Sequence, residues 1–556
     1  MRSFFCCKTN SQGDGAMAAV MLGMVLYMAV CAAAVAIGHK AQKNVHSSGH
    51  SSMTSYSYVQ AQQDKHDLNR FGLAQQFRRK YGSLGSFGLS FNSMGVIGAA
   101  VLFLGPAIQQ GGPSTVAVGL PIAAFFALAV SATLAELSSA VPTSGGVYHW
   151  ASAIGRRVWG WYAGWFQLAG SVAMTALFNG AFALALDAIL SARLQYESEW
   201  WTIGLLAVAA TASQAAIQHR GTAIIATVQI AGFWLQAAIA VSIIGGLAFL
   251  LWPGVYSPEL LYAFRDGGLD GAVQPWPFLA GVLLLNKLFV GMDGAAHGSE
   301  ETHDPRIRVP WAIFLSAAYS YIIGLVLFLF VVLLFPVWGG NGWTEVKEGV
   351  FLSAALHGAA GSPIIALAIA CALWGSGFTT LGSCSRAIFC MARDQALPFS
   401  PVWSRVTAEA QSPRNAIWLA AALTYVLFIA VRLLTGENFA VVLNGFAMIC
   451  TNIAYAIPIA LLIKLQGRHR LLDDAPWRLG SWGMTIYKTA FVWLLATAVL
   501  AIAATGWEAA FGIVLLYAVA SFANRKYGAR HLAKLQSRLK RPRGEIIRME
   551  RKFDLH

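Results

Sequence analysis

Charged side chains are scarce in this chain, because aspartate, glutamate, lysine and arginine make up only 12% of its 556 residues. Apolar residues make up 57%, and the mean hydropathy is +0.57. A soluble domain of ordinary composition carries about twice as much charge. The composition therefore excludes an ordinary soluble globular protein and indicates a membrane protein.

Cysteine pairs and catalytic motifs are also missing. The seven cysteines show no spacing that predicts a disulfide framework or a metal site: Cys6, Cys7, Cys31, Cys371, Cys384, Cys390 and Cys450. The sequence contains no GxSxG, HExxH or GxxxxGK[ST] motif. We therefore expect neither an enzyme nor a bound cofactor.

One cluster does have metal-ligand chemistry: His297, Glu300, Glu301 and His303. On a helix, His297 and either glutamate would share a face and could bind zinc. The same carboxylates could instead form a gate or pair with Arg306 and Arg308. We favour ion pairs and expect no metal, because charged clusters at helix ends are more often ion pairs than sites.

Apolar stretches of roughly 20 residues recur along most of the chain, and each is long enough to span a bilayer. They predict twelve transmembrane helices, near residues 88–109, 115–138, 158–190, 200–218, 221–251, 277–298, 309–337, 361–385, 415–434, 438–464, 483–505 and 507–523. One set of connections carries the basic residues Arg156, Arg157, His219, Arg220, Arg306, Arg308, Arg393, Arg405, Lys464, Arg468 and Arg470. The alternate loops 191–199, 252–276 and 338–349 have few. By the positive-inside rule, the basic connections and both ends of the twelve-helix body are cytoplasmic.

Both ends of the chain extend beyond this body. Residues 15–38 form a further apolar stretch, too long for the apolar region of a signal peptide, which favours an added membrane helix over a cleaved signal. An internal start, for example at Met53, is a third alternative. Residues 44–80 are polar and predict a disordered linker. We therefore divide the chain into an N-terminal extension (1–80), the twelve-helix domain (82–523) and a basic cytoplasmic tail (524–556).

The net charge of +14 lies largely in these flanks, in Arg78, Arg79 and Lys80 and in the run from Arg525 to Lys552. Topology and a solvated tail account for it, so no nucleic-acid partner is expected. The alternative is a tail that lies on anionic lipid, with residues 530–535 as its amphipathic part.

The most unusual segment is 283–301, LLLNKLFVGMDGAAHGSEE, an apolar span with Lys287 and Asp293 in its middle. A charge at bilayer depth costs about 3 kcal/mol on insertion scales, so it persists only where it faces a cavity or a partner. The small residues from Gly95 to Ala99 interrupt the first span in a similar way, although close helix packing would also explain them. Five spans separate the starts of the two interrupted helices, which is typical of inverted five-helix repeats.

Four collinear motifs carry a resemblance to a known family: GLSFNSMGVIGAAVLFLGPAIQQGGPSTV (88–116), AELSSAVPTSGGVYHWAS (135–152), GMDGAAHGSEET (291–302) and SRAIFCMARDQALP (385–398). Together they resemble the amino acid-polyamine-organocation transporter superfamily, and within it the amino acid/choline transporter branch. The resemblance covers residues 82–523.

The resemblance implies two inverted five-helix repeats plus two helices, with substrate bound where the first and sixth spans unwind. The substrate-binding residues would be Gly95, Ile97, Gly98, Ala99, Phe289, Gly291, Asp293 and Gly294. Phe103 and Trp374 are further candidates for an aromatic wall. Asp293 would hold a substrate amine or exchange a proton; capping a broken helix end is its alternative role.

Two residues depart from the family pattern. Met292 stands where relatives usually have an aromatic residue, which weakens the case for a quaternary amine such as choline. Lys287 is unexpected. It could pair with Asp187 or Asp293 or extend outward, or it could be a desolvated amine that binds a substrate carboxylate or carries the coupling proton.

Coupling and gating have separate candidates. Thr379, Thr380 and Ser383 could hold sodium in the eighth span, but such hydroxyls usually bond their own helix, and we prefer proton coupling. Glu136 with Arg386 and Arg393 could form a cytoplasmic gate or fixed structural pairs.

The expected function is a secondary active transporter of the cell membrane that carries an amino acid or related amine by alternating access, coupled to protons. A choline, polyamine or γ-aminobutyrate transporter of the same fold is the alternative. A channel or a metal-dependent membrane enzyme would be a different class of protein.

Overall fold

The computed structural model describes residues 11–47, 58–155, 157–251, 258–262, 275–334, 363–407, 409–466 and 470–553. In this part of the chain every regular element is helical, apart from an isolated β-bridge between Tyr81 and Thr302. Some features of the sequence analysis lie outside the described residues: Cys6, Cys7, Met53, Arg156, Arg468, most of the loop 252–276 and all of the loop 338–349.

The described residues form twenty α-helices, joined in places by short 3₁₀ or π turns. In chain order they are α1 (Ser11–Ser47), α2 (Tyr58–Asn69), α3 (Ser83–Met94), α4 (Val96–Gly111), α5 (Leu120–Ala140), α6 (Val147–Ile154), α7 (Arg157–Leu194), α8 (Trp200–Gln218), α9 (Thr222–Leu251), α10 (Pro275–Leu285), α11 (Gly294–His297), α12 (Pro305–Leu334), α13 (Pro363–Arg393), α14 (Ser400–Trp403), α15 (Arg414–Thr435), α16 (Phe439–Lys464), α17 (Arg470–Asp473), α18 (Gly483–Thr505), α19 (Trp507–Leu539) and α20 (Arg543–Arg551).

Thirteen helical segments of the described chain are long and apolar enough to cross a membrane. Twelve of them coincide with the predicted spans, and the thirteenth lies within α1. The all-α, multi-pass fold class is therefore confirmed. The predicted bounds differ mainly at the ends, where α12, α13 and α19 continue past the apolar stretch into polar sequence.

The centre of the bundle is α7, the third span of the twelve-helix domain, which packs most extensively against α13 and α16. α5 packs on α12 and α18, and α3 packs on α12 and α9. Close approach at the centre depends on small residues, since a β-carbon at Gly170 of α7 would lie 2.7 Å from the hydroxyl of Thr451 on α16. Because the intact helices pack so closely, we expect space for a substrate only where helices are interrupted.

The N-terminal helix α1 lies on the outside of the bundle. Its span, Gly23–Val45, is mostly exposed, as expected of a lipid-facing helix. It contacts α5, and the ring of Tyr27 lies 6.2 Å from that of Tyr321 on α12. The predicted added helix is thus present over Ser11–Ser47, a longer stretch than 15–38.

The two extensions meet at one end of the bundle, which we call the terminal face. Residues 58–69 of the predicted disordered linker are the helix α2, in which Asp64, Asp67 and Leu68 are buried. The tail is not a separate solvated segment either, since α19 runs without a break from the last span to Leu539. The predictions of a disordered linker and a solvated tail, made from composition, were therefore wrong for these residues, because charged side chains of both segments have partners in the folded protein.

Candidate substrate site

The first span breaks at Gly95, which ends α3 and precedes α4. Gly95 has φ of +64°, a left-handed conformation that favours glycine. A β-carbon there would also lie 2.6 Å from the ring of Phe178. α4 then starts in the middle of the membrane, and the first amide groups of a helix have no partner within that helix. These N–H groups, which include those of Ile97 and Gly98, favour negative charge.

The sixth span breaks over a longer stretch. After α10, a 3₁₀ turn covers Asn286–Phe289, and the helix resumes only at Gly294. Gly291 has φ of +95°, and a β-carbon there would lie 2.7 Å from the hydroxyl of Ser93 on α3. The two breaks therefore touch each other, as the spacing of the spans and the family resemblance implied.

Lys287 joins the two broken spans. Its side chain is fully buried, and Nζ donates a 2.7 Å hydrogen bond to the carbonyl of Met94, the last residue of α3. Nζ also lies 4.7 Å from the centre of the Phe178 ring, a cation–π geometry. The alternatives in which this lysine pairs with an aspartate or extends outward are wrong: Asp187 is bound instead by hydroxyls that include Tyr196 and Thr202.

Asp293 lies at the start of α11 with its carboxylate buried. Oδ1 accepts a 2.5 Å hydrogen bond from the hydroxyl of Tyr455, and Oδ2 accepts one of 2.7 Å from the amide of Gln167. Nε2 of His297 lies 3.3 Å from Oδ2. Asp293 makes no capping hydrogen bond to α11, so its alternative role as a cap is not found. Its partners instead come from α7 and α16 and hold the carboxylate between the helices.

A small cavity of about 20 Å³ lies beside Asp293, which is space for about one water molecule. It is lined by Ser93, Gln167, Gly170, Ser171, Met174, Val290, Gly291, Asp293, His297, Thr380, Ser383 and Thr451. Of the predicted substrate-binding residues, only Gly291 and Asp293 line it. The others are buried around the breaks: Gly95, Ile97, Gly98, Ala99, Phe289 and Gly294. The cavity is far smaller than an amino acid, so a substrate needs the helices around it to separate.

The candidate sodium ligands and aromatic-wall residues differ in where they lie relative to the cavity. Thr380 lines the cavity, but its hydroxyl bonds the backbone of its own helix, and the hydroxyl of Thr379 bonds Gln229 and its own helix. Phe103 is fully buried, and Trp374 stacks on Phe378. Neither lines the cavity.

Sequence reasoning missed Gln167, His297, Thr451 and Tyr455 as neighbours of the central carboxylate. Their one visible signal is that each is a polar group in or beside an apolar span. Such groups usually face the interior of a membrane bundle, but this signal does not identify their partner.

Two ion pairs close the bundle between the cavity and the terminal face. Arg393 donates hydrogen bonds of 3.0 and 2.9 Å to the two carboxylate oxygens of Glu300. Arg386 binds Glu301 in the same two-point manner, at 2.9 and 3.3 Å. Burial acts to raise the pKa of Glu300, but the Arg393 guanidinium outweighs it and the pKa lies below its ordinary value. Glu300 thus stays charged and paired with Arg393.

The predicted pairing of Glu136 with these arginines is wrong. The Glu136 carboxylate accepts hydrogen bonds from the backbone N–H of Leu479, at 3.0 Å, and from the hydroxyl of Tyr487, at 2.5 Å. The arginines pair instead with the glutamates of the 297–303 cluster. The carboxylates of that cluster were expected either to form a gate or to pair with Arg306 and Arg308.

The zinc alternative for the 297–303 cluster has no support in this geometry. Both carboxylates are held by arginine, and His303 contacts the carbonyl of Arg79 through Nε2 at 2.9 Å. In the part of the chain that the structure describes, no group of three or more metal-ligating side chains converges.

A membrane-spanning bundle with two broken helices around a buried carboxylate, closed at one end by ion pairs, has the architecture of a secondary transporter. The family model described as amino acid permease matches residues 81–522. The chain belongs to this amino acid permease family and is a transporter.

Named amino-acid permeases are similar to this chain over most of its length. The amino-acid permease BAT1 of Arabidopsis thaliana is 26% identical over 469 residues, which cover 78% of this chain and 87% of the relative. The BAT1 homolog of Oryza sativa is also 26% identical, covering 78% and 86%. Amino-acid permease 2 of Neurospora crassa is 25% identical, covering 83% and 85%.

Proposed function

We propose that this amino acid transporter works by alternating access and uses the proton as its coupling ion. The observation that carries the proposal is the pair of buried ionisable groups at the two breaks, the Asp293 carboxylate and the Lys287 amine. No ion pair joins Lys287 to a carboxylate among the described residues. Both groups are therefore able to change partner during a transport cycle.

The site offers complementary groups for the carboxylate and for the amine of an amino acid. The free N–H groups at the start of α4 favour the substrate carboxylate, as helix N-termini do for anions. Asp293 favours the substrate amine. Met292 is buried and offers no aromatic face, which supports an amino acid over a quaternary amine.

Lys287 supports proton coupling over sodium coupling. Its ammonium group already donates a hydrogen bond to the carbonyl oxygen of Met94. In broken-helix transport sites, such an oxygen at the C-terminal end of a half-helix can coordinate a cation. The hydroxyl of Thr380, a candidate sodium ligand, bonds its own helix. Loss of a proton from Lys287 would remove the charge of the amine, weaken its hydrogen bond to this carbonyl and so weaken the link between α3 and the sixth span.

The ion pairs of Glu300 and Glu301 support a gating role at the terminal face. The cavity is too small for an amino acid while these pairs are closed, so access from this face requires them to open. We infer that the terminal face is the cytoplasmic one, since the basic connections of the sequence lie there. The cell membrane is the proposed location.

Uptake by the purified protein in liposomes tests the proposal. We expect counterflow of labelled amino acid, accumulation when an inward proton gradient is imposed, and no requirement for sodium. Sodium-dependent uptake that does not respond to pH would overturn proton coupling. Absence of counterflow would instead favour a channel or an enzyme, and counterflow of choline or a polyamine alone would change the substrate.

A further inference from the structure

A second cavity lies away from the substrate site, at the terminal face, where the two extensions of the chain meet. Its volume is about 470 Å³, in the range of small-molecule sites. It is lined by α2 and the residue after it, and by α20 and the segment just before it: Tyr58, Gln62, Lys65, His66, Asn69, Arg70, Arg541, Arg543, Ile546, Ile547 and Glu550. All of them fall outside the 81–522 stretch that matches the permease family. The cavity is therefore an addition to the transporter body.

The lining is strongly basic, with Lys65, Arg70, Arg541 and Arg543 against the single acid Glu550. Three of these cations have a carboxylate within ion-pair distance. Lys65 lies 3.7 Å from Glu550, Arg70 lies 2.8 Å from Asp474, and Arg541 lies 3.2 Å from Glu545. Asp474 and Glu545 are more than half exposed, so they neutralise the cavity only weakly.

Arg543 differs from the other three cations. Within the described residues its side chain makes no hydrogen bond or ion pair, and it is the first residue of α20. The N-terminal end of that helix carries partial positive charge at the same place. The cavity thus combines an uncommitted guanidinium with three further cations around a space of ligand size.

We propose that this cavity binds a phosphate group, and that the bound anion holds the two extensions together. Arginine forks and helix N-termini both match the oxygens of phosphate. The phosphate group could belong to a soluble cytoplasmic molecule or to the headgroup of an anionic lipid. The cavity would recognise both through the same phosphate oxygens.

The cavity is connected to the gate by direct contacts. Glu550 accepts a hydrogen bond of 3.1 Å from the backbone N–H of Gln75, and Arg79, a little further along, donates to the carbonyls of Ser299 and Thr302 beside the gate glutamates. On the other side, Arg538 at the end of α19 binds Asp394, the residue after Arg393. An anion that fixes the extensions therefore stabilises the closed terminal face and slows transport. That last effect rests on the proposed function, whereas anion binding itself does not.

The test compares Arg543→Gln with Arg548→Gln in the full-length purified protein. Arg548 is an exposed arginine of the same helix that does not line the cavity, so it is a matched control for charge. Thermal unfolding is measured with increasing inorganic phosphate against chloride at equal ionic strength. It is measured separately in nanodiscs of phosphatidylcholine with and without phosphatidylglycerol.

We expect phosphate or phosphatidylglycerol to raise the melting temperature of the wild-type protein and of Arg548→Gln. In Arg543→Gln the apparent affinity should fall about tenfold, which corresponds to about 1.4 kcal/mol. An effect of inorganic phosphate identifies a soluble ligand, and an effect of phosphatidylglycerol alone identifies a lipid headgroup. Equal behaviour of the two variants, or stabilisation that follows ionic strength only, overturns the proposal.

Amino acid counterflow by Arg543→Gln is measured in the same preparations. If anion binding is lost and counterflow persists, the site is regulatory and the proposed transport function stands. If counterflow is absent from the wild-type protein as well, the transport proposal fails while the binding result keeps its meaning.

Discussion

The ammonium group of Lys287 donates a hydrogen bond to the carbonyl oxygen of Met94, the last residue of α3. A residue of the sixth span thus caps the C-terminal end of the first half-helix. The side chain is fully buried between the two broken helices. A lysine in this position links the two broken spans through a hydrogen bond that the positive charge of the amine strengthens.

Lys287→Met should abolish proton-driven accumulation to background while counterflow of labelled amino acid persists. Methionine fills a similar volume but carries no proton and cannot bond the Met94 carbonyl. Uptake in liposomes with an imposed pH gradient measures this effect. Lys488→Met is the matched control, since Lys488 is exposed on α18. Uptake with unchanged pH dependence in Lys287→Met would make the lysine structural.

Asp293→Asn should weaken amino acid binding by about 10- to 100-fold, because a hydrogen bond to a charged group contributes about 1.5–3 kcal/mol. The amide keeps the shape that Tyr455 and Gln167 surround but removes the negative charge. Ligand-induced thermal stabilisation measures the affinity. Asp187→Asn is the control, a buried carboxylate at the far end of α7. If both variants bind as the wild type does, Asp293 does not contact substrate.

Reversal of one member of the Glu300–Arg393 pair should destabilise the protein by about 3–5 kcal/mol, since it leaves a buried charge without its partner. The double reversal, Glu300→Arg with Arg393→Glu, should recover part of this loss. Thermal unfolding of the three variants gives the coupling energy. The same cycle on Glu136 and Arg386 should give no coupling, because those residues have different partners. Purely additive effects for Glu300 and Arg393 would argue against the pair.

His149 should make the protein less stable as the pH falls from about 6.5 towards 4. Burial, together with the nearby charges of Arg538 and Arg393, lowers its pKa to about 4, despite opposing contributions from Asp394. Above pH 6.5 His149 is neutral in both folded and unfolded chains. Below it the unfolded chain gains a proton that the folded chain takes up only near pH 4. The stability lost over this window is roughly 3 kcal/mol.

Thermal unfolding between these pH values, compared with His149→Gln, isolates this contribution. His219 and His303 also have lowered pKa values, so the difference between the two proteins is the quantity that counts. A pH dependence that His149→Gln leaves unchanged would show that another group is responsible.

The sequence could predict the two breaks because glycine and charge within an apolar span are costly and therefore conspicuous. Gly95 and Gly291 lie at the breaks, with Asp293 at the start of α11, whereas their role in substrate binding stays a prediction. It could not predict which groups surround Asp293, since Gln167 and Tyr455 lie 126 and 162 residues away along the chain. Such partners depend on how the helices pack rather than on any local pattern.

The predicted ion pairs were often wrong, because the partners of a charged side chain also depend on how the helices pack. Glu136 was expected to meet Arg386 or Arg393 because all three are charged groups expected on the same side of the membrane. In the structure, a backbone N–H and a tyrosine hydroxyl satisfy Glu136. The extensions were misjudged likewise, because Asp67 pairs with Arg306 of the bundle and Glu550 pairs with Lys65 of the other extension, and both contacts form only in the folded chain.

The unbroken course of α19 has a mechanical consequence. Its 33 residues form a rod about 50 Å long, and Arg538 near its end contacts Asp394 at 2.6 Å. If the rod pivots by about 5° at its far end, Arg538 moves by about 4 Å, which is enough to separate these two residues. A small tilt of the last membrane helix within the bilayer would thus be enough to break a contact next to the Glu300–Arg393 pair.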